Sequence, residues 1–415
     1  MKIALLGNGF DLHHSLPTRY IDILHLFSFW ASNHDKLYKT AGEVLNDYIS
    51  QENMDIYDSF FTFYKNYKKT LNFVSIDENE AKKLIYELKH SFWFNYFSNA
   101  KNVNINWIDF EKEISMIIDV FDYIIKNSPA EHEKINYKDC PRFSLCLWHD
   151  LDNPCISIFE DPTEELNCLV VHIDSIFKNT NSYSSNKTYN VEKITEYLYN
   201  QLDIIKKAIV FYLKIFINSV TSEIKKSKSL SFLDDCRLIV SLNYSNTFEK
   251  IYYTPNDKMV MCHYHGDASK NSIVLGIDSS TNDEFSTNTS PDTTFLVFKK
   301  YYQRILQNCD YEFSVVRRNM KSADALYNGN LPGYREYLLN NPDTLYVVGH
   351  SLDSTDRDII VELFEFCKYV FVYYYQISDF GKYIQNLIKI FGKSKFEEMR
   401  NNGKIQFKKL NPYIV

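Results

Sequence analysis

Glycine is scarce in this chain: 11 residues in 415, against 32 tyrosines and 30 phenylalanines. Rings bury large areas, so a core can be built largely from them. A tyrosine- and lysine-rich genome accounts for the excess better than an aromatic recognition surface does. Paired cysteines are also lacking. The eight cysteines (Cys140, Cys146, Cys155, Cys168, Cys236, Cys262, Cys309 and Cys367) form no Cys-x-x-Cys, which argues against a zinc ribbon or redox motif. Cys236, Cys262 and Cys367 sit in apolar runs and read as small buried hydrophobes of a reducing compartment. Positive charge is lacking too. With a formal net charge of −7 the chain has no basic excess, whereas nucleic-acid binders draw most of their affinity from neutralising phosphate. Nucleic acid is therefore not the expected partner. No apolar run reaches the roughly 20 residues of a membrane helix, and Lys214 breaks the stretch Ala208 to Ile217. The start, Met1 to Gly7, is too short for a signal h-region. A soluble, cytoplasmic protein with no membrane contact is expected.

What is present is a change of character along the chain. Ile3 to Leu6 is a short apolar run ended by Gly-Asn-Gly, as in a buried parallel strand feeding a turn. A helix over 18–30 follows, with Thr18 as its cap. From 31 to about 232 the spacing predicts helices, clearest over Lys82–Phe97, Trp107–Ile125 and Val191–Ser227. Asn127 to Pro162 reads as an irregular excursion, and 179–190 as a polar, mobile loop. After 235 strands return: Cys236–Leu242, Met259–Tyr264, Ser272–Gly276, Thr344–Val348 and Lys368–Tyr375, with helices over 355–366 and 380–391. Alternating strands and helices imply an α/β fold on a parallel sheet. The length suits two or three domains of roughly 100–200 residues. The economical division is a discontinuous Rossmann-like nucleotide-binding domain, 1–30 with 235–415, carrying a helical insertion module at 31–234.

Four clusters at strand ends could carry chemistry. Gly7-Asn8-Gly9-Phe10-Asp11 is a turn whose glycines let backbone N–H groups approach phosphate or ribose, aided by the following helix. Leu12 stands where a dinucleotide fingerprint has its third glycine, so a plain strand-to-helix turn competes with this reading. Asn243-Tyr244-Ser245-Asn246-Thr247 offers an amide on a rigid strand end, with Asn246 or Thr247 also able to cap a helix. His263-Tyr264-His265-Gly266-Asp267 offers a general base. His265 lies at the loop mouth, and alternation points His263 the same way but deeper, in a structural role. A metal is not expected, because no companion Cys or His segment supports one. Gly349-His350-Ser351-Leu352-Asp353, with Asp356 and Asp358, closes the set; Asp353 to Asp356 could equally cap a helix. Trp107-Ile108-Asp109-Phe110-Glu111 stands apart as a pocket wall or a buried helix start.

In that order, with Pro17 eight residues after Gly9, the clusters resemble the sirtuin pattern Gly-Ala-Gly…Gly-Ile-Pro, Asn-Ile-Asp, His-Gly, Gly-Thr-Ser-Leu. A narrower resemblance is to the AbiH family of bacterial abortive-infection proteins. It is carried by Gly-Asn-Gly-Phe-Asp-Leu-His-His-Ser-Leu-Pro-Thr, Asn-Tyr-Ser-Asn-Thr-Phe-Glu, His-Gly…Leu-Gly-Ile-Asp and Gly-His-Ser-Leu-Asp-x-x-Asp, and by the Trp107 stretch. The resemblance implies a Rossmann-like, sirtuin-type fold and a role in phage defence, with NAD cleavage at the nicotinamide–ribose bond as the activity. Carried over, Gly7 and Gly9 would meet the pyrophosphate, with Asn8, Phe10 and Asp11 beside them. Asn243 would sit at the nicotinamide ribose and His265 would be the base, these two being the catalytic pair. Tyr244, Gly349, His350, Ser351 and Asp356 complete the cofactor-binding set. The departures are a missing four-cysteine zinc module, Thr18 after the proline and Ser245 where the pattern has Asp, so acyl-lysine chemistry is not implied. The alternative is a silent nucleotide sensor or scaffold subunit. A homo-oligomer, a partner defence protein and a phage-derived trigger are the expected associations. The helical insertion would supply regulation.

Overall fold

A computed structural model describes residues 2–51, 59–99, 107–129, 134–135, 142–148, 156–160, 168–178, 189–253, 259–277, 293–309, 313–314 and 343–411. Six strands form one sheet: β1 (Lys2–Leu6), β2 (Leu238–Ser241), β3 (Val260–His263), β4 (Thr344–Val348), β5 (Tyr369–Tyr374) and β6 (Ile405–Lys409). In space they lie β6-β5-β4-β1-β2-β3, and every neighbouring pair is parallel. Read from the other edge this is the doubly wound order 3-2-1-4-5-6, which reverses between β1 and β4, where such sheets bind ligands beyond the strand carboxyl ends. β1 is thus flanked by strands from far down the chain, with Leu6 opposite Ser241 on one side and Val348 on the other.

Near-continuous apolar runs are what a strand buried on both faces requires, and the two faces separate by alternation. Ile3, Leu5, Val240, Leu345 and Val347 pack with Ile359, Leu363, Leu387 and Met399 of the helices Arg357–Phe366, Ile377–Phe391 and Lys393–Asn401. Ala4, Leu6, Ile239 and Val348 join the opposite core with the helices Tyr20–Ser32, Phe92–Asn99, Trp107–Asn127 and Val191–Tyr212. Each fully buried Leu or Ile contributes about 1.5–3 kcal/mol relative to an exposed one. The helices between β1 and β2 thereby cover one face of the sheet.

Several elements differ from the sequence reading. Asn127 to Pro162 holds strands, not only irregular chain: Arg142–Trp148 and Ile156–Glu160 form a separate four-stranded sheet with Lys134–Ile135 and Cys168–Asp174. The run Arg-Phe-Ser-Leu-Cys-Leu-Trp does alternate, but turn residues around it hide the period. Lys82–Phe97 is broken at His90–Ser91 into helices Glu78–Lys89 and Phe92–Asn99. The helix from Val191 ends at Tyr212 and passes into a π-helical turn, Leu213–Ile217. Only Ser272–Ile273 of the expected third returning strand is extended, paired with Gly266–Asp267 in a small hairpin off the main sheet. Thr18 does not cap the helix Tyr20–Ser32; its hydroxyl donates to Asn8 Oδ1 at 2.7 Å, and Asp22 takes the Arg19 N–H instead. β6 and the helix Lys393–Asn401 had no counterpart in the sequence reading. Of the polar loop at 179–190, residues 179–188 lie outside the described residues.

The turn after β4 presses on the turn after β1. Gly349 has φ +68°, and a Cβ there would lie 2.2 Å from the Phe10 nitrogen. Gly349→Ala is expected to lower stability by roughly 1–3 kcal/mol through forced backbone shifts. Gly381→Ala, in open space on the helix Ile377–Phe391, should instead raise it by up to about 1 kcal/mol. Chemical denaturation of the two variants checks the contrast, and equal effects would refute the packing argument.

Candidate functional site

The carboxyl ends of β1, β2 and β4 open on one cavity of about 890 Å³, within the range of small-molecule sites. A second cavity of about 380 Å³ lies among the helices at Trp30 and Tyr86 and holds none of the sequence candidates. At the first, Gly7, Asn8, Gly9 and Asp11 come from the turn after β1, Asn243, Tyr244 and Ser245 from the end of β2, His265 from beyond β3, and Gly349, His350, Ser351 and Asp356 from beyond β4. The cavity therefore gathers all but one of the residues assigned to catalysis and cofactor binding by the resemblance. The exception is Phe10, which is 1% exposed and turns into the core against His14, Phe248 and Tyr252.

The glycines do other work than expected. Gly7 N–H donates to Val348 O at 3.0 Å, Gly9 N–H to Gly349 O at 2.8 Å, and Phe10 N–H to Gly7 O at 2.8 Å. None of the three is available for phosphate. A Cβ on Gly9 would lie 2.6 Å from Gly349 Cα, so the missing side chain serves the apposition of two loops. The helix that follows has only five residues, Gly9–His13, too short to aid anion binding by its dipole.

Behind the cavity lies a buried charge cluster. Lys300, 3% exposed, reaches Glu111 Oε2 and Asp356 Oδ1, each at 2.8 Å. Asp356 Oδ1 also lies 3.0 Å from His265 Nε2, an approach off the hydrogen-bonding axis, so the contact is electrostatic. His350 Nε2 lies 3.2 Å from Asp356 Oδ2, while His350 Nδ1 accepts the Leu352 N–H at 2.9 Å. With Nδ1 accepting, Nε2 is the ring nitrogen that donates to the carboxylate. Burial lowers the pKa of His265, against the Asp356 charge that raises it, so the imidazole is neutral at physiological pH. Burial pushes the Glu111 carboxyl up to about 7, Lys300 opposing and Asp356 adding to the rise. Burial would raise Asp356 as well, but Lys300 and the two histidines hold it well below the usual carboxylate range.

The neighbouring acids are engaged separately. Asp353 caps the turn Ser354–Asp356 through the Thr355 N–H and pairs with Lys112 at 3.3 Å; Asp358 binds Arg304 and the Tyr264 hydroxyl. The three carboxylates face different partners and do not converge as metal ligands; among the described residues no group of three or more His, Cys, Asp or Glu does. At β2, Asn243 is backed by Ser241, whose hydroxyl takes the Asn243 N–H, and its side-chain amide makes no hydrogen bond among the described residues. Tyr244 anchors its hydroxyl on Val274 O at 2.8 Å. Asn246 stands at the helix N-cap without a side-chain cap bond. His263 and His265 do not share a direction: β3 ends at His263, which binds Glu249 on the short helix Thr247–Ile251.

The family model described as bacteriophage abortive infection AbiH matches residues 3–375. The chain belongs to the AbiH family. No curated protein and no solved structure matches it. Among the described residues no helix is long and apolar enough to cross a membrane. In this AbiH protein the Trp107–Glu111 stretch enters the site through Glu111; the side chains of Trp107 and Asp109 lie outside the described set. Lys300 was missed in sequence, since nothing in Lys299-Lys300-Tyr301-Tyr302 marks one lysine as buried. Leu213, on the π-helical turn, also reaches the cavity, a common place for such turns.

Removing Lys300 leaves two buried carboxylates without their cation. Lys300→Met should cost about 3–5 kcal/mol at neutral pH. Both carboxyls would then titrate above their unfolded values, so the loss is smallest in acid and grows as pH rises through the folded pKa values. Denaturation at several pH values tests this; a loss that is flat with pH would refute it.

Proposed function

We propose that this AbiH protein binds NAD at the β1–β4 switch and hydrolyses its nicotinamide–ribose bond to arrest growth of a phage-infected cell. The observation that carries the reading is the meeting of Asn243 and His265, from separate strand ends, in one cavity at that switch. The leaving group is neutral and the sugar cation oxocarbenium-like, so the site needs orientation and water activation more than a strong acid. His265 turns Nε2 to Asp356, which leaves Nδ1 to take the water proton, typically worth roughly 10²–10⁴-fold in rate. Asn243 holds the water or the ribose by its amide. The products are nicotinamide, ADP-ribose and the proton taken by His265.

With the glycine N–H groups engaged, phosphate recognition falls to side chains. Of the lining cations, Lys112 is tied to Asp353, whereas Arg19 and Lys382 have no ion pair among the described residues. Both line the cavity and would meet the pyrophosphate.

Purified protein is incubated with NAD and nicotinamide release is followed by chromatography. Asn243→Ala and His265→Ala should each lower kcat at least about 100-fold while leaving the fold intact. Arg19→Ala and Lys382→Ala should chiefly raise KM. Because the His265 pKa lies below 6.5, the acid limb of kcat/KM should fall below that pH. His265→Ala with parental turnover would overturn the base assignment. NAD bound by the parent without turnover would favour the sensor role, and no binding would overturn the reading.

A further inference from the structure

Asp11 is 1% exposed and lines the cavity. Its Oδ2 accepts the Ser245 hydroxyl at 2.6 Å, and Ser245 Oγ in turn accepts the Thr247 hydroxyl at 2.9 Å. This relay sets the donor direction of both hydroxyls and fixes the carboxylate plane. Oδ1, by contrast, is buried and has no hydrogen-bond partner among the described residues. A buried carboxylate oxygen left unmet is costly, and a fold that needed Asp11 only as an anchor for Ser245 would have been served by an amide. Burial pushes the carboxyl up to about 6, against the Ser245 and Thr247 hydroxyls and with help from the Glu249 charge, so the group is ionised and acceptor-only at physiological pH. No lysine or arginine pairs with it among the described residues.

We propose that Asp11 Oδ1 is the cavity's ligand-reading acceptor, taking an uncharged O–H or N–H donor of the bound nucleotide and rejecting ligands that present an acceptor there. The inference rests on the NAD reading above and deepens it. At the nicotinamide end of NAD, which the reading above sets beside Asn243 and His265, such a donor is either the carboxamide or the 2′-hydroxyl of the adjoining ribose. Ser245, and through it Thr247, act as positioning residues.

The test is calorimetric titration at neutral pH of parent, Asp11→Asn and Ser245→Ala with three ligands: NAD, its deamido analogue bearing a carboxylate for the carboxamide, and NAD lacking the 2′-hydroxyl of the nicotinamide ribose. The parent should bind one analogue about 10- to 100-fold more weakly than NAD, the usual worth of a hydrogen bond to a charged group, and which analogue it is identifies the donor. Asp11→Asn, close in shape and with folding checked by its melting temperature, should erase that preference. Where the deamido analogue is the weaker one, Asp11→Asn should also gain affinity for it, since an amide can donate where a carboxylate only repels. Ser245→Ala should narrow the preference while retaining its direction. Parental preferences kept by Asp11→Asn, or no preference in the parent, would overturn the role of Asp11 while leaving NAD binding standing. Absence of binding by any of the three ligands would overturn both.

Discussion

Where β1 and β4 lie side by side, their exit turns touch backbone to backbone. Gly9 N–H bonds Gly349 O, and neither Gly7, Gly9 nor Gly349 has room for a Cβ. The strand reversal of a doubly wound sheet opens a crevice at this place, because the connections from β1 and β4 leave toward opposite faces. The glycines seal the bottom of that crevice with main chain alone. The cavity walls, with Asn8 and Asp11 on one side and His350 and Ser351 on the other, are held at a separation set by this contact. In a chain with so few glycines, three stand at one junction.

The second constraint is electrostatic. Glu111, Lys300 and Asp356 come from three widely separated segments and meet away from solvent. A buried pair is weak evidence for stability, since desolvation can consume the Coulomb energy. What the cluster does secure is placement. Asp356 is held between Lys300 and two imidazoles, so His265 and His350 share one fixed carboxylate. Because Glu111 belongs to the helix Trp107–Asn127, the chain between β1 and β2 furnishes part of the site as well as covering the sheet.

The parts of this arrangement legible in sequence are local ones. A short apolar run ended by Gly-Asn-Gly, or by Gly-His-Ser, marks a buried strand and its exit turn without reference to the rest of the chain. Asn243 and His265 were legible for the same reason, being polar groups directly after such runs. The partners they acquire were not, because Lys300 and Glu111 become significant only through pairing across the fold, and no spacing rule records that. Phe10 shows the limit from the other side: it stands between two site residues, but the helical turn that begins at Gly9 rotates it into the core. The glycines were recognised for a backbone approach, and the approach is real, yet it is to another loop. The four-stranded sheet in 134–174 escaped because turn-forming residues between its strands hide their period. β6 escaped because only Ile405 and Phe407 relieve a polar run.

Several departures from comfortable packing lie in this cavity or directly behind it. Leu352 is wholly buried with φ +57°, a conformation unfavourable to a leucine, and its N–H donates to Nδ1 of the His350 ring, whose Nε2 faces Asp356. Asp11 leaves a carboxylate oxygen unmatched, His265 meets its carboxylate off axis, and Lys300 is stripped of water. Any one of these could be an accident of folding. Strain and unsatisfied polarity persist, however, only where the surroundings over-determine them, and such features cluster at ligand sites. A surface kept solely for scaffolding would gain from relaxing each of the four. Their meeting in and behind one cavity at the switch point of a doubly wound sheet supports the proposal of a bound ligand whose contacts complete it.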